Sequence, residues 1–148
     1  MSYTQKAKDL GIEFAEATAP GYLNLCVQSG NLLITSGHVS DQKGIVGEGG
    51  VSVEAAYEAA KDCMIKILKS VYATHKTLDD LRVLKLLGCV YSKENFIEQH
   101  LVINGASDLV HEIFGKDEDG FHARSAVGFA ALPTGVSVEI EAIFEIKN

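Results

Sequence analysis

The stretch that decides the fold is His122-Ala-Arg-Ser-Ala-Val-Gly-Phe-Ala-Ala-Leu-Pro-Thr-Gly-Val-Ser-Val-Glu-Ile-Glu-Ala-Ile-Phe144. It reads as two β-strands joined by a turn at Pro133-Thr134-Gly135, with a lone arginine opening the first strand. In the second, Val136, Val138, Ile140, Ala142, Phe144 and Ile146 point one way, the period of two that marks a face laid against a core. The opposite face carries Ser137, Glu139, Glu141, Ile143 and Glu145. A polar second face on a central strand needs water or a partner.

Working outward, residues 22–28 and 32–36 are strand-like, and Ser29-Gly30-Asn31 between them makes a hairpin. Gly37 to Gly50 is glycine-rich and polar, a loop with a short extended piece at Ile45-Val46. Ser52 is a helix N-cap and Glu54 favours the first turn. Ala60, Cys63, Met64, Ile67, Leu68 and Val71 then share one helical face, which predicts an amphipathic helix of about six turns ending near His75. Leu81 to Tyr91 is a largely buried strand. Residues 92–97 form a loop, and Ala106, Leu109, Val110, Ile113 and Phe114 mark a second helix closed by Gly115. Lys116 to Gly120 reads as an exposed acidic loop. The expected fold is α+β in the order β-β-α-β-α-β-β, a mixed sheet with both helices on one face.

The chain has 148 residues and is 47% apolar. That length suits one domain over residues 1–148, with a core that needs no disulfide or metal staple. No apolar run reaches the roughly 18 residues of a membrane helix, so no membrane partner is expected. The N-terminus lacks the apolar core of a signal peptide. Cys26, Cys63 and Cys89 are odd in number and widely spaced, which fits reduced thiols and a cytoplasmic location. The formal net charge of −7, without a Lys/Arg cluster, weighs against a nucleic-acid partner. His38, His75, His100, His111 and His122 show no His-x-x-x-His spacing, and no Cys-x-x-Cys occurs. The sequence therefore implies no metal site, and with no phosphate-binding loop it implies no cofactor.

Arg124 shares a strand face with Ala126, Gly128 and Ala130. Three small neighbours leave room for a planar guanidinium that could grip a carboxylate with two parallel hydrogen bonds. Read by spacing alone, it is also a surface arginine in a salt bridge, and Glu139 and Glu141 are also solvated strand residues. Whether Arg124 and Glu139 share a face depends on the turn. A three-residue loop separates them and a four-residue loop unites them.

The Ala-Arg-Ser...Leu-Pro...Val-Glu-Ile-Glu-Ala pattern resembles the RidA (YjgF-type) reactive-intermediate deaminases, small proteins often labelled L-PSP endoribonucleases. The resemblance covers residues 20–146 and is to a longer-chain branch. It implies a chorismate-mutase-like homotrimer with clefts between subunits, acting on a small carboxylate substrate. The implied reaction is hydrolysis of 2-imino or enamine acids to 2-keto acids and ammonia.

The same resemblance assigns roles. Arg124 anchors the carboxylate and Glu139 holds the attacking water. Ser36 and Gly37, in Ile-Thr-Ser-Gly, line the pocket, with Gly37 offering its backbone N–H. The next position, often Gln in the family, is His38 here. Tyr22 resembles the pocket tyrosine, with Leu23 the alternative by one residue. Asn104 matches the helix-start asparagine, or Ser107 does by spacing to Phe114. Ala126 stands where the best-studied deaminases often carry cysteine. His122, on the strand parity of Arg124, could add a donor or proton carrier. A second function is open, a non-catalytic trimer that binds small carboxylates. A third, ribonuclease activity, is disfavoured by charge.

Overall fold

The structure is a computed structural model and describes residues 2–15 and 21–148. In chain order the elements are α1 (Tyr3–Asp9), β1 (Cys26–Ser29), β2 (Leu32–Thr35), β3 (His38–Val39), α2 (Val53–His75), β4 (Leu81–Tyr91), α3 (Gln99–Phe114), β5 (Ala123–Phe129) and β6 (Val138–Ile146). The long elements fall where the sequence pattern puts them. The Ser52 hydroxyl accepts the Ala55 N–H to start α2, and Gly115, at φ +89°, ends α3. Both helices are amphipathic, and their apolar stripes are fully buried against the sheet. Each such large side chain contributes about 1.5–3 kcal/mol on leaving water.

The sheet corrects the expected closing hairpin. Strand order is β1-β2-β6-β4-β5, with β3 also on β6. β5 and β6 are not neighbours. β4 lies between them, antiparallel to β6 and parallel to β5. The Pro133–Gly135 turn is a short 3-10 segment that carries the chain across β4. β4 is buried by both neighbours and by α3, and this suits its nearly unbroken apolar sequence.

Four further differences are local. α1, absent from the expected order, is started by Ser2 capping Gln5, and Tyr3 packs edge-on against Phe114 at 5.0 Å. β1 begins at Cys26 rather than Tyr22. The Asn24 side chain accepts the Cys26 N–H, a local bond that competes with sheet pairing. β2 and β3 run along the same edge of β6 as one strand broken at Ser36-Gly37. Residues 115–119 form a turn closed by the Gly120 N–H on the Gly115 carbonyl at 3.0 Å, and Asp119 is tied to Tyr3 and Lys147 rather than facing only solvent.

One sheet face is covered by α2 and α3. The chain there approaches closely because of two glycines. A Cβ on Gly105 would stand 2.0 Å from the Tyr57 carbonyl oxygen of α2, and one on Gly88 would stand 2.5 Å from Ile103 of α3. Among the described residues the other face has no second layer. Val27, Ile34, Val39, Val127 and Phe129 are all at least 36% exposed there. No helix among the described residues is long and apolar enough to cross a membrane.

Candidate functional site

Register settles which residues share a side. Arg124 pairs with Leu86, which pairs with Ala142, on the helix-covered face. Glu139 pairs with Cys89, which pairs with Val127, on the open face. Within one chain Arg124 and Glu139 therefore point to opposite sides of the sheet. The candidate residues divide into two clusters.

The first cluster lies where edge strand β5 meets α3. Arg124 is half-buried. Its Nη1 donates to Asn104 Oδ1 at 2.7 Å and to Ser107 Oγ at 3.2 Å. Both candidates for the helix asparagine position thus touch it. Among the described residues no carboxylate lies within salt-bridge distance of Arg124, and no acceptor faces its Nε or Nη2. One edge of the guanidinium is fixed and the other is free. Ala126 follows two residues along the same face, partly buried.

His122 stands behind this arginine. Its Nδ1 lies 2.7 Å from the Gly120 carbonyl oxygen and its Nε2 lies 2.9 Å from Ser107 Oγ. A carbonyl only accepts, so Nδ1 carries the proton and Nε2 accepts the Ser107 O–H. Burial lowers the His122 pKa. The Gly120 hydrogen bond opposes this, and the nearby His111 and Arg124 add to it. Both ring nitrogens are committed to internal partners.

The second cluster lies at the break between β2 and β3. Gly37 is so close to Glu139 that a Cβ would meet Oε2 at 2.0 Å. Any side chain here would displace the carboxylate. Among the described residues the Gly37 N–H has no backbone acceptor and the Glu139 carboxylate has no hydrogen-bond partner. Ser36 donates its hydroxyl to the Asn24 carbonyl at 2.7 Å. Cys89 lies beside Glu139, its thiol pushed up to about 11 by burial and then by Glu139 and Glu141. Such a thiol is protonated at neutral pH and is no nucleophile.

His38 is buried beneath this cluster, between β3 and α2. Its Nδ1 lies 2.8 Å from the Ser36 carbonyl oxygen and its Nε2 lies 2.8 Å from Ser70 Oγ. Burial lowers its pKa most, the Ser36 bond opposes, and Lys66 adds to the lowering. Ser70 carries no sequence signal for this contact, since 32 positions separate it from His38. Tyr22 is fully exposed and joins neither cluster. Among the described residues no group of three or more His, Cys, Asp and Glu is placed to hold a metal ion. A cleft of about 400 Å³ between residues 47–53 and 95–98 includes none of these side chains.

Known proteins resemble this chain in sequence and in structure. Protein TCP17 of Trypanosoma cruzi is 41% identical over 147 residues, covering 94% of this chain and 91% of its own. The crystal structure of Atu1372 from Agrobacterium tumefaciens is 42% identical, with a TM-score of 0.85, covering 99% of this chain and 92% of that one. The YjgF gene product of E. coli is 26% identical, with a TM-score of 0.57 over 90% of this chain and 94% of that one. The profile of the family described as Endoribonuclease L-PSP matches residues 14–146. The chain belongs to this endoribonuclease L-PSP family, which includes the RidA and YjgF proteins.

Proposed function

We propose that this protein, acting as one domain over its 148 residues, hydrolyses small 2-imino and enamine acids to 2-keto acids and ammonia. The observation that carries the reading is the free edge of Arg124. A half-buried guanidinium held by neutral partners, with no carboxylate of its own among the described residues, calls for an anion from outside. Its free Nε–Nη2 edge has the fork geometry of a carboxylate. Asn104 and Ser107 hold the other edge, and Ala126 keeps the neighbouring space small-lined.

The remaining chemistry falls to the second cluster. Water adds to the imine carbon as Glu139 takes one of its protons, and the C=N π electrons move to nitrogen. Glu139 returns that proton to nitrogen, giving an amine. The tetrahedral carbon then collapses to the keto group as its hydroxyl proton passes to nitrogen through Glu139, the C–N bond breaks, and ammonia leaves. The Gly37 N–H and Ser36 orient the imine. No metal or cofactor is needed in this scheme.

Because the clusters face opposite sides of one sheet, a complete site takes the Arg124 cluster of one copy and the Glu139 cluster of the next. The uncovered apolar face supports such a contact, and family resemblance supports a homotrimer as the assembly. Tyr22 enters the pocket only where a neighbouring surface meets it. The test couples an amino-acid oxidase to semicarbazide and measures suppression of semicarbazone. The wild type should suppress it and Arg124→Ala should not. No suppression across several imines, with pyruvate still bound in calorimetry, would favour a non-catalytic carboxylate-binding protein. Light scattering should give a trimer, and a monomer at micromolar concentration would remove the shared cleft.

A further inference from the structure

We infer that His38 is a positioning residue that aims the Gly37 backbone N–H at the substrate, braced from behind by Ser70. The inference rests on the deaminase reading for what the N–H meets, but its geometry stands within one chain. The Ser36 carbonyl can only accept, so the His38 proton sits on Nδ1. Nε2 is then a bare acceptor for the Ser70 hydroxyl on α2. The Ser36-Gly37 peptide is trans, so its C=O and N–H are antiparallel. With the carbonyl drawn toward the buried imidazole on the helix side, the N–H turns toward the open face, where Glu139 lies against Gly37. That N–H has no backbone acceptor among the described residues, whereas a backbone donor in a sheet is ordinarily paired.

The break between β2 and β3 is what frees this donor. Thr35 Oγ1 takes the Ala142 N–H at 3.0 Å in place of a backbone carbonyl. Ser36 turns its own N–H back to Leu25. The Ser36 N–H and Thr35 hydroxyl thus find partners, while among the described residues the Gly37 N–H and the Glu139 carboxylate beside it have none. The construction behind Arg124 has the same plan. There a histidine donates Nδ1–H to the carbonyl two residues earlier and accepts a serine hydroxyl from the covering helix. Each half of the candidate site is backed by one such serine–histidine brace.

Nitrogen-15 NMR of the imidazoles in the wild-type protein tests the brace directly. His38 should be protonated on Nδ1 and bare on Nε2, and the reverse tautomer overturns the inference. Proton–nitrogen spectra titrated with pyruvate test its consequence. The Gly37 amide should shift in the wild type and in His38→Gln, whose side-chain N–H reaches the same carbonyl. In His38→Leu the shift should vanish and kcat fall roughly tenfold, the worth of one hydrogen bond, with KM changed less. A His38→Leu protein that folds and keeps wild-type kcat and the Gly37 shift overturns it. So does a folded His38→Gln protein that behaves like His38→Leu. If pyruvate moves no resonance in the wild type, the carboxylate-site reading fails, and the tautomer still decides whether His38 braces the peptide.

Discussion

The Arg124 and Glu139 halves of the candidate site are finished to different degrees. Behind Arg124 the contacts are closed. Asn104 and Ser107 hold one edge of the guanidinium, and His122 fixes Ser107 in turn. Around Glu139 the contacts are open. The carboxylate has no hydrogen-bond partner among the described residues, the adjacent Gly37 N–H is unpaired, and the sheet face around them is uncovered. The difference separates two tasks. A binding group gains from being held rigid before its ligand arrives. A group that moves a proton and a water must keep its lone pairs for them.

The largest expected effect breaks the closed half. Arg124→Ala removes two charge-assisted hydrogen bonds, each worth about 1.5–3 kcal/mol, and should cost roughly 10²-fold or more in kcat/KM. Arg124→Lys keeps the charge but not the fork and should fall in between. Full activity in Arg124→Ala would remove the arginine from the site. Glu139→Gln tests the open half. It keeps the shape and loses the base, so kcat should fall roughly 10²–10⁴-fold while KM stays nearly constant. A pure KM effect would make Glu139 a binding group and erase the division of tasks.

A smaller effect sharpens the comparison at the glycine. Gly37→Ala places a Cβ 2.0 Å from Glu139 Oε2. The atom it strikes ends a flexible side chain, so the fold should persist with little change in Tm. The displaced carboxylate should lower kcat by roughly ten- to a hundredfold, the effect of a misplacement of about 1 Å. A large loss of Tm would show that Gly37 serves the strand break rather than the carboxylate.

The fold was legible where periodicity speaks. Leu81–Tyr91 emerges residue for residue, and the helix from its Ser52 cap to near His75 closely, because an apolar stripe at helical spacing and a buried run leave few alternatives. Strand order was not legible. A turn such as Pro133–Gly135 reads as a hairpin whether or not another strand lies between its ends, and only packing inserts β4. That insertion answers the question loop length left open, placing Arg124 and Glu139 on opposite faces. Individual candidate residues were named through family resemblance, but not their supports. Ser70 and Ser107 join their histidines through space, where no spacing rule operates.

The smallest expected effect concerns those two histidines. His38 and His122 are both held below the ordinary 6.5, by burial first and then by neighbouring positive groups. In the unfolded chain each returns to that value and binds protons more readily than in the folded one. Just under pH 6.5 the unfolded state therefore carries more protons, and stability rises with pH. Their contribution is complete above 6.5, declines as pH falls through it, and levels off below the folded values. Urea midpoints measured between about pH 7.5 and 5.5 should thus fall as the solution is acidified. In a double variant, His38→Gln with His122→Gln, that part of the slope should be missing. Equal slopes in the two proteins would mean that the imidazoles titrate alike folded and unfolded. Neither could then be a neutral brace with both nitrogens committed, and the two halves of the site would have to be held by something else.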